Sequence, residues 1–284
     1  MHLLEKYGFD ADTFESLRKS YISGHLNPED NIIKGKIELP DRDSLPHLNR
    51  MDRATLEVYA RTGRGAIKAG QLGVVIVNGG MATRFGGVVK GIVEVFDGKS
   101  FLQVKLEHIR KVHQEYGVSL PVFIMNSFAT EEATIKHIKE NKYFGLDETR
   151  VYLFNQFISQ RLNPDGSLFF LDGHPEKSFY GPGHGDFIYA FRRSGHLSRF
   201  LDSGGRYLWF SNVDNLGATV DERILGYHIE EDHEMTAELA EKIFGDKGGA
   251  PARVNGKLQI VEGFKFPEKF DQKAIPVFNT ATYL

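Results

Sequence analysis

The chain has 284 residues, with 35 Lys and Arg against 38 Asp and Glu, and a formal net charge of −3 when its 11 histidines are neutral. At 41% hydrophobic and 26% charged it has ordinary globular composition, which excludes general disorder, while the near-zero balance argues against a protein that wraps nucleic acid with a basic stripe. Cysteine is absent, which excludes disulfides, thiolate metal sites and thiol catalysis, and no apolar run approaches the ~18 residues of a membrane span.

The residues Met1-His2-Leu3-Leu4-Glu5-Lys6 lack the uninterrupted apolar stretch of a signal peptide, so the expectation is a cytoplasmic chain with neither nucleic acid nor membrane as partner. Residues 12–20 and 51–69 are predicted helices, the second with Met51, Leu56, Tyr59 and Ile67 on one rough face. Between them Pro28, Pro40 and Pro46 mark residues 27–49 as an irregular connection. At residue 72 the pattern changes. Residues 72–77 are a β-branched run apolar on both faces, as suits a central parallel strand. A polar, glycine-rich segment occupies 78–91. Then come a short strand at 92–96, a helix at 101–116, a strand at 121–125 and a helix at 131–140, with Thr130 as its expected N-cap. Residues 151–154 and 207–211 are predicted strands; 186–194, 196–202 and 221–231 are predicted helices.

Alternating β and α elements at this spacing argue for an α/β domain with a mainly parallel sheet. Near the end, Asn255-Gly256 lies between the extended runs 252–254 and 257–262, the strongest short hairpin signal, because both turn residues need positive φ. No internal repeat is visible.

Four segments can carry chemistry. Residues 78–91 follow the strand 72–77, where ligands bind in open α/β sheets. The pair Gly79-Gly80 permits close backbone approach, and Arg84 and Lys90 are cationic donors. The segment contains neither the Gly-x-x-x-x-Gly-Lys-[Ser/Thr] pattern nor Gly-x-Gly-x-x-Gly, which counts against a dinucleotide oxidoreductase; a flexible turn with two incidental bases is the plain alternative. In residues 180–186 the glycines Gly181, Gly183 and Gly185 surround His184, which either donates to a phosphate or base edge or is solvated; Asp186 is a candidate cap for the next helix. At 211–217 an apolar strand ends in Asn212-Val213-Asp214-Asn215. A carboxylate there suits a Mg²⁺ that leaves its other positions to phosphate and water, and an Asx turn is the plain alternative. The fourth segment is Lys247-Gly248-Gly249; beyond it Glu262 and Asn279 are candidates for sugar hydroxyls or ordinary surface polar groups. His137, His228 and His233 read as solvated surface residues.

In this order, Val75–Gly91 (75–91), Met125-Asn126-Ser127-Phe128, Phe154-Asn155-Gln156, residues 181–186, Ser211 through Asp221, Lys247-Gly248-Gly249, residues 257–262 and Phe278-Asn279-Thr280 resemble the UTP–glucose-1-phosphate uridylyltransferase family. The most specific wording is Gly183-His184-Gly185-Asp186 followed by Ser211-Asn212-Val213-Asp214-Asn215. The resemblance covers about residues 70–280. It implies a Rossmann-like nucleotidyltransferase fold, a mixed, mostly parallel sheet flanked by helices, with the hairpin as a small antiparallel addition.

It also implies that UTP and glucose 1-phosphate become UDP-glucose and pyrophosphate with Mg²⁺. Gly79, Gly80, Met125, Gln156 and Gly185 would line the uridine pocket, and Arg84 and Lys90 would hold the triphosphate. Asp214 would carry the metal, and His184 and Lys247 would meet phosphates. Asn212, Gly249, Glu262 and Asn279 would bind glucosyl hydroxyls. Residues 1–70 would be a helical segment packed on a catalytic domain at 71–284.

The chain departs from the family pattern at Ala82, where Gly is usual, at Val89, where Pro is usual, and in a loop one residue shorter before Lys90. It ends at Leu284, before the further sheet, lysine and β-helix of the family. A truncated relative is therefore expected, with an exposed sheet edge near residue 280. Two alternatives stand beside glucosyl transfer: a fragment that binds UTP or UDP-sugar without turnover, and transfer to another hexose 1-phosphate such as N-acetylglucosamine 1-phosphate.

Overall fold

The computed structural model describes residues 2–41, 44–82, 87–243 and 248–284. Helices α1 (His2–Lys6) and α2 (Ala11–Ile22) open the chain. The proline-marked stretch that follows holds the 3₁₀ turns Pro28–Asn31 and Leu48–Arg50 and the two-residue strand β1 (Ile37–Glu38). Helix α3 (Arg53–Lys68) starts two residues inside the expected span, because the Asp52 carboxylate accepts from the Thr55 amide and caps it there.

Strand β2 (Leu72–Val77) has its expected bounds. A small ribbon, β3 (Met81–Ala82) with β4 (Val88–Val89), follows it. Of the strand expected at 92–96, only β5 (Glu94–Phe96) forms. It turns back on β6 (Lys99–Ser100) through Asp97 and Gly98, both at positive φ. Then come α4 (Phe101–Tyr116), β7 (Val122–Asn126), α5 (Glu131–Glu140), β8 (Val151–Asn155), β9 (Ser159–Gln160) and β10 (Phe179–Tyr180). After them are α6 (Phe187–Arg193), α7 (His196–Asp202), β11 (Tyr207–Asn212), α8 (Glu222–Glu230), β12 (Ala237–Glu241), β13 (Ala250–Val254), β14 (Lys257–Val261) and β15 (Val277–Tyr283).

Six strands form the main sheet in the order β12-β15-β11-β2-β7-β8. β11, β2, β7 and β8 are parallel, and β15 and β12 are added antiparallel. Alternation along the strands feeds two cores. Val74 and Ile76 join Ile67, Leu102, Leu106, Ile124, Trp209 and Leu225 under α3, α4, α5 and α8. On the opposite face Val75 joins Phe123, Phe154, Phe191, Phe200 and Phe210 beneath α6 and α7. The hairpin β13–β14 turns at Asn255 and Gly256, both at positive φ as expected, and β1 pairs with β13 to complete a separate three-stranded sheet.

The structure corrects five expectations. β15 is bonded on both sides, so residue 280 is not at an edge; the neighbouring edge is β12. Thr130 stands at the N-cap of α5 but makes no cap bond, because its hydroxyl accepts from the Ser127 amide at 2.9 Å. Asp186 does not cap α6 through its side chain; burial pushes its carboxyl up. His228 is buried, its Nδ1 2.9 Å from Thr236 Oγ1. His137 is half-buried against Ser100 Oγ.

Candidate functional site

β2 lies at the point where the chain order reverses. The chain runs outward from β2 to β7 and β8, then returns to place β11 on the other side of β2. Ligands of open α/β sheets sit in the crevice beyond the carboxyl ends of strands at such a point. All the parallel strands deliver chemistry-bearing loops there.

The uridine-pocket candidates start at Asn78, which is fully buried. Its amide nitrogen donates to the Met125 carbonyl at 2.7 Å, and its Nδ2 donates to Asn126 Oδ1 at 2.9 Å and Thr134 Oγ1 at 2.8 Å. This ties the exit of β2 to β7 and α5. The Gly79 carbonyl accepts from Ser127 Oγ at 2.9 Å, and the Gly80 carbonyl accepts from the Lys90 amide at 3.3 Å. Gln156 follows β8; its backbone N–H donates to the Asn126 carbonyl at 2.9 Å and its Oε1 accepts from the Gly183 N–H at 3.0 Å.

The Gln156 carboxamide is thereby slotted between two loops. A Cβ on Gly79 would stand 2.5 Å from Gln156 Nε2, and a Cβ on Gly181 would stand 2.4 Å from the same atom. Only glycine lets the backbone come this close. Met125 is fully buried in the aromatic face of the sheet, and its carbonyl holds the Asn78 N–H just before Gly79. His184 and Gly185 are exposed in a 3₁₀ turn just past Gly183, whose φ is +116°.

The phosphate and metal candidates face one another. Val213 N–H donates to the Val77 carbonyl at 3.0 Å, so the end of β11 is fastened to the end of β2. The next residue, Asp214, places Oδ2 2.9 Å from Lys90 Nζ. The shortened loop therefore keeps Lys90 in register with the aspartate. Both side chains remain over a third exposed, so a ligand can reach either. Asn212 is half-buried at the last β11 position, paired in register with Val77. Arg84 and Lys247 lie outside the described residues.

The sugar candidates meet at a second junction. The Asn279 amide donates to the Gly249 carbonyl at 2.8 Å, and a Cβ on Gly249 would stand 3.0 Å from Glu262 Oε1. The Asn279 side chain is spent locally, accepting from the Ala281 N–H at 3.0 Å and donating to the Tyr283 hydroxyl at 2.5 Å. The two junctions are coupled through Asn215, whose Nδ2 donates to the Thr280 carbonyl at 3.0 Å and to Thr282 Oγ1 at 3.1 Å.

Among the described residues no cluster of three or more His, Asp or Glu is poised to cage a metal. The donor set is one accessible carboxylate beside a lysine. That fits Mg²⁺, which needs only one or two protein carboxylates when substrate phosphates and water fill the other positions.

Residues 11–282 match the family described as UTP–glucose-1-phosphate uridylyltransferase. The chain belongs to this family. It is 37% identical over 221 residues to a probable UTP–glucose-1-phosphate uridylyltransferase of Schizosaccharomyces pombe, covering 74% of this chain and 43% of that protein. To the Encephalitozoon cuniculi enzyme of that name it is 33% identical over 293 residues, covering 95% and 56%. The chain thus spans about half the length of the curated relatives it matches. Among solved structures it is similar to a UDP-glucose phosphorylase of Trypanosoma brucei, with TM-score 0.73, 26% identity, and 96% of this chain and 57% of that one covered. A T. brucei uridine diphosphate N-acetylglucosamine pyrophosphorylase shares the fold at TM-score 0.76 and 22% identity, covering 97% and 58%.

Against this uridylyltransferase background, sequence reasoning passed over Lys105 and gave no role to Gly181 or Asn215, although both stand in segments it singled out. Gly181 and Asn215 act through partners distant in the chain, so nothing local marks their roles. Lys105 did leave a signal, because it sits on the stripe of α4 formed by Leu102, Leu106, Ile109 and Val112, all buried. Its Nζ donates to Ser211 Oγ and to the Ala218 carbonyl, both at 2.9 Å. Burial pushes its ammonium down to about 8, although the Glu238 and Asp214 carboxylates pull the other way.

Proposed function

We propose that this chain binds UTP and a hexose 1-phosphate and transfers the uridylyl group from UTP to glucose 1-phosphate, giving UDP-glucose and pyrophosphate. The Lys90–Asp214 pair at the reversal point of the sheet carries the reading. A phosphate oxygen of the sugar phosphate attacks the α-phosphorus of UTP. The bond from that phosphorus to the bridging oxygen breaks, and pyrophosphate leaves. The attacking oxygen is already an anion, so no strong general base is needed. The task is to align two polyanions and neutralise the charge that builds up between them.

The residues divide that task. Gly79 and Gly80 let uracil approach the backbone, with the Gln156 amide fixed beside them and His184 and Gly185 at the mouth. Lys90 takes a phosphate oxygen of the triphosphate. Asp214 is the residue that would hold Mg²⁺, which when bound supplies Lewis-acid neutralisation of phosphate charge. In the free protein Lys90 and Asp214 neutralise each other, so binding exchanges their mutual ion pair for triphosphate on one side and divalent ion on the other. Asn212, Gly249 and Glu262 contact the glucosyl hydroxyls, and Asn279, its side chain engaged within β15, holds Gly249 in place through its backbone N–H. Arg84 and Lys247 add phosphate contacts by family resemblance. No helix among the described residues is long and apolar enough to cross a membrane. The place of action in this reading is the cytoplasm, with which a cysteine-free chain is compatible.

The test is UDP-glucose formation from UTP and glucose 1-phosphate, and its reversal with pyrophosphate, in the presence of Mg²⁺. Asp214→Asn keeps the shape and removes the ionised ligand, so turnover should fall about 100-fold or more with the circular dichroism unchanged. Near-normal turnover in that variant overturns the metal assignment. The second reading is nucleotide binding by this chain without turnover. Calorimetric UTP binding with no product in either direction would select it, and faster turnover of UDP-N-acetylglucosamine would move the substrate to the other hexose.

A further inference from the structure

The loop that carries Asp214 leaves the sheet at the end of β11, where Ser211 and Asn212 are its last residues, and Ala218 lies at its far end. Beyond the Val213 N–H bond to the Val77 carbonyl, its backbone bonds are short-range, from the Asn215 N–H to the Asn212 carbonyl at 3.2 Å, from Leu216 to Asp214 at 3.0 Å and from Ala218 to Asn215 at 3.3 Å. Such a turn is only as rigid as its two ends. One side chain grips both ends. Lys105, 5% exposed, reaches from α4 beneath the sheet and donates to Ser211 Oγ and the Ala218 carbonyl, each at 2.9 Å. Burying an ammonium on an apolar stripe is costly unless it is hydrogen-bonded, and an apolar side chain would fill that stripe more cheaply.

The structure assigns Lys105 the role of a positioning residue: it clamps both ends of the 212–217 loop so that the Asp214 carboxylate is held opposite Lys90. This deepens, and rests on, the uridylyltransferase reading above. Lys105 touches neither substrate nor metal. Its action is to pre-set one carboxylate, while the uridine slot, built from β2, β7 and β8, is independent of it. Asn215 supplies the lateral tie of the same loop to β15.

Two variants and two readouts test the clamp. Lys105→Met keeps the length and removes both bonds. Ser211→Ala removes one and leaves the bond to Ala218. In the unliganded full chain, amide hydrogen exchange at Val213, Asn215, Leu216 and Ala218 should rise about tenfold or more in Lys105→Met and by less in Ser211→Ala, with β2 and β7 unchanged. The double variant should be no worse than Lys105→Met, since the partners act as one unit. In the uridylyl-transfer assay kcat should fall ~10- to 100-fold while KM for UTP stays within about twofold.

Unchanged exchange at those four amides, or a loss confined to KM for UTP, overturns the proposal. If Lys105→Met melts without cooperativity, exchange in Ser211→Ala decides alone, and protection equal to the parent's overturns it. A parent protein without turnover would sink the uridylyltransferase reading, whereas the exchange experiment would still decide whether Lys105 holds the loop.

Discussion

At the scale of single residues the site depends on two close approaches, one steric and one electrostatic. The steric one is the Gln156 carboxamide held between the α-carbons of Gly79 and Gly181. Gly181→Ala would put a methyl 2.4 Å from Nε2 and push the amide out of its slot, breaking its bond from the Gly183 N–H. The UTP dissociation constant measured by calorimetry should rise roughly tenfold, about 1.4 kcal/mol, with little change in thermal midpoint because the loop is surface-borne. An unchanged constant would show that the Gln156 slot is not part of the nucleotide site. The electrostatic approach, Lys90 to Asp214, was legible in outline: a lysine in a glycine-rich loop after one strand and an aspartate after another are what phosphate chemistry asks for. That the two meet at 2.9 Å was not, since it depends on β2 and β11 being neighbours. Lys105 was legible too, as a charge on an apolar helix face, but its target loop is a tertiary fact.

At the scale of elements, local chemistry carried further wherever an element was made by its own residues. β2, α4, α5 and α7 have their expected bounds, and Asn255-Gly256 makes its turn, because periodicity and turn residues decide these. β12 and β15 escaped notice. Ala237–Glu241 lacks β-branched residues and Val277–Tyr283 mixes polar with apolar, so β12 is a strand by virtue of pairing with β15, and β15 by pairing with β12 and β11. The expected caps failed for two reasons: the Thr130 hydroxyl is taken by the Ser127 N–H three residues before it, and the Asp186 carboxyl is buried by packing. The packing of α3 on α8 was equally hidden. These helices cross glycine on backbone: a Cβ on Gly63 would lie 1.8 Å from the Glu222 carbonyl oxygen, and one on Gly226 would lie 1.8 Å from that of Tyr59. Gly63→Ala gains ~1 kcal/mol of helix propensity and must force the two helices apart. A net loss of about 1 to 3 kcal/mol in urea-induced unfolding is expected. A more stable variant would mean the helices can separate at no cost.

Across the whole molecule, the way the histidines are buried sets the response to acid. His108, His113, His137, His196 and His228 are all pushed below the ordinary histidine value, burial being the first cause in each. They hold the fold together as neutral groups: His113 Nε2 accepts from the Leu120 N–H, His108 Nε2 from the Val220 N–H, and His137 and His228 lie against hydroxyls. Unfolded, each returns to a value near 6.5. As pH falls through about 6.5, the unfolded chain therefore takes up protons that the folded chain refuses, and stability is lost progressively until the folded values are reached. Two buried carboxyls act in the opposite direction. Asp186 and Glu238 are raised by burial, so folding becomes less costly for them as they protonate, but they are two groups against five histidines. Between about pH 7 and 5.5 the histidines dominate. The urea midpoint should fall across this interval, with a net uptake of protons on unfolding, and His228→Gln, which removes one titrating group, should flatten the slope. A midpoint that held or rose on acidification would show that these rings are already protonated within the fold, and that the bonds they accept in the neutral form are not the ones stabilising it.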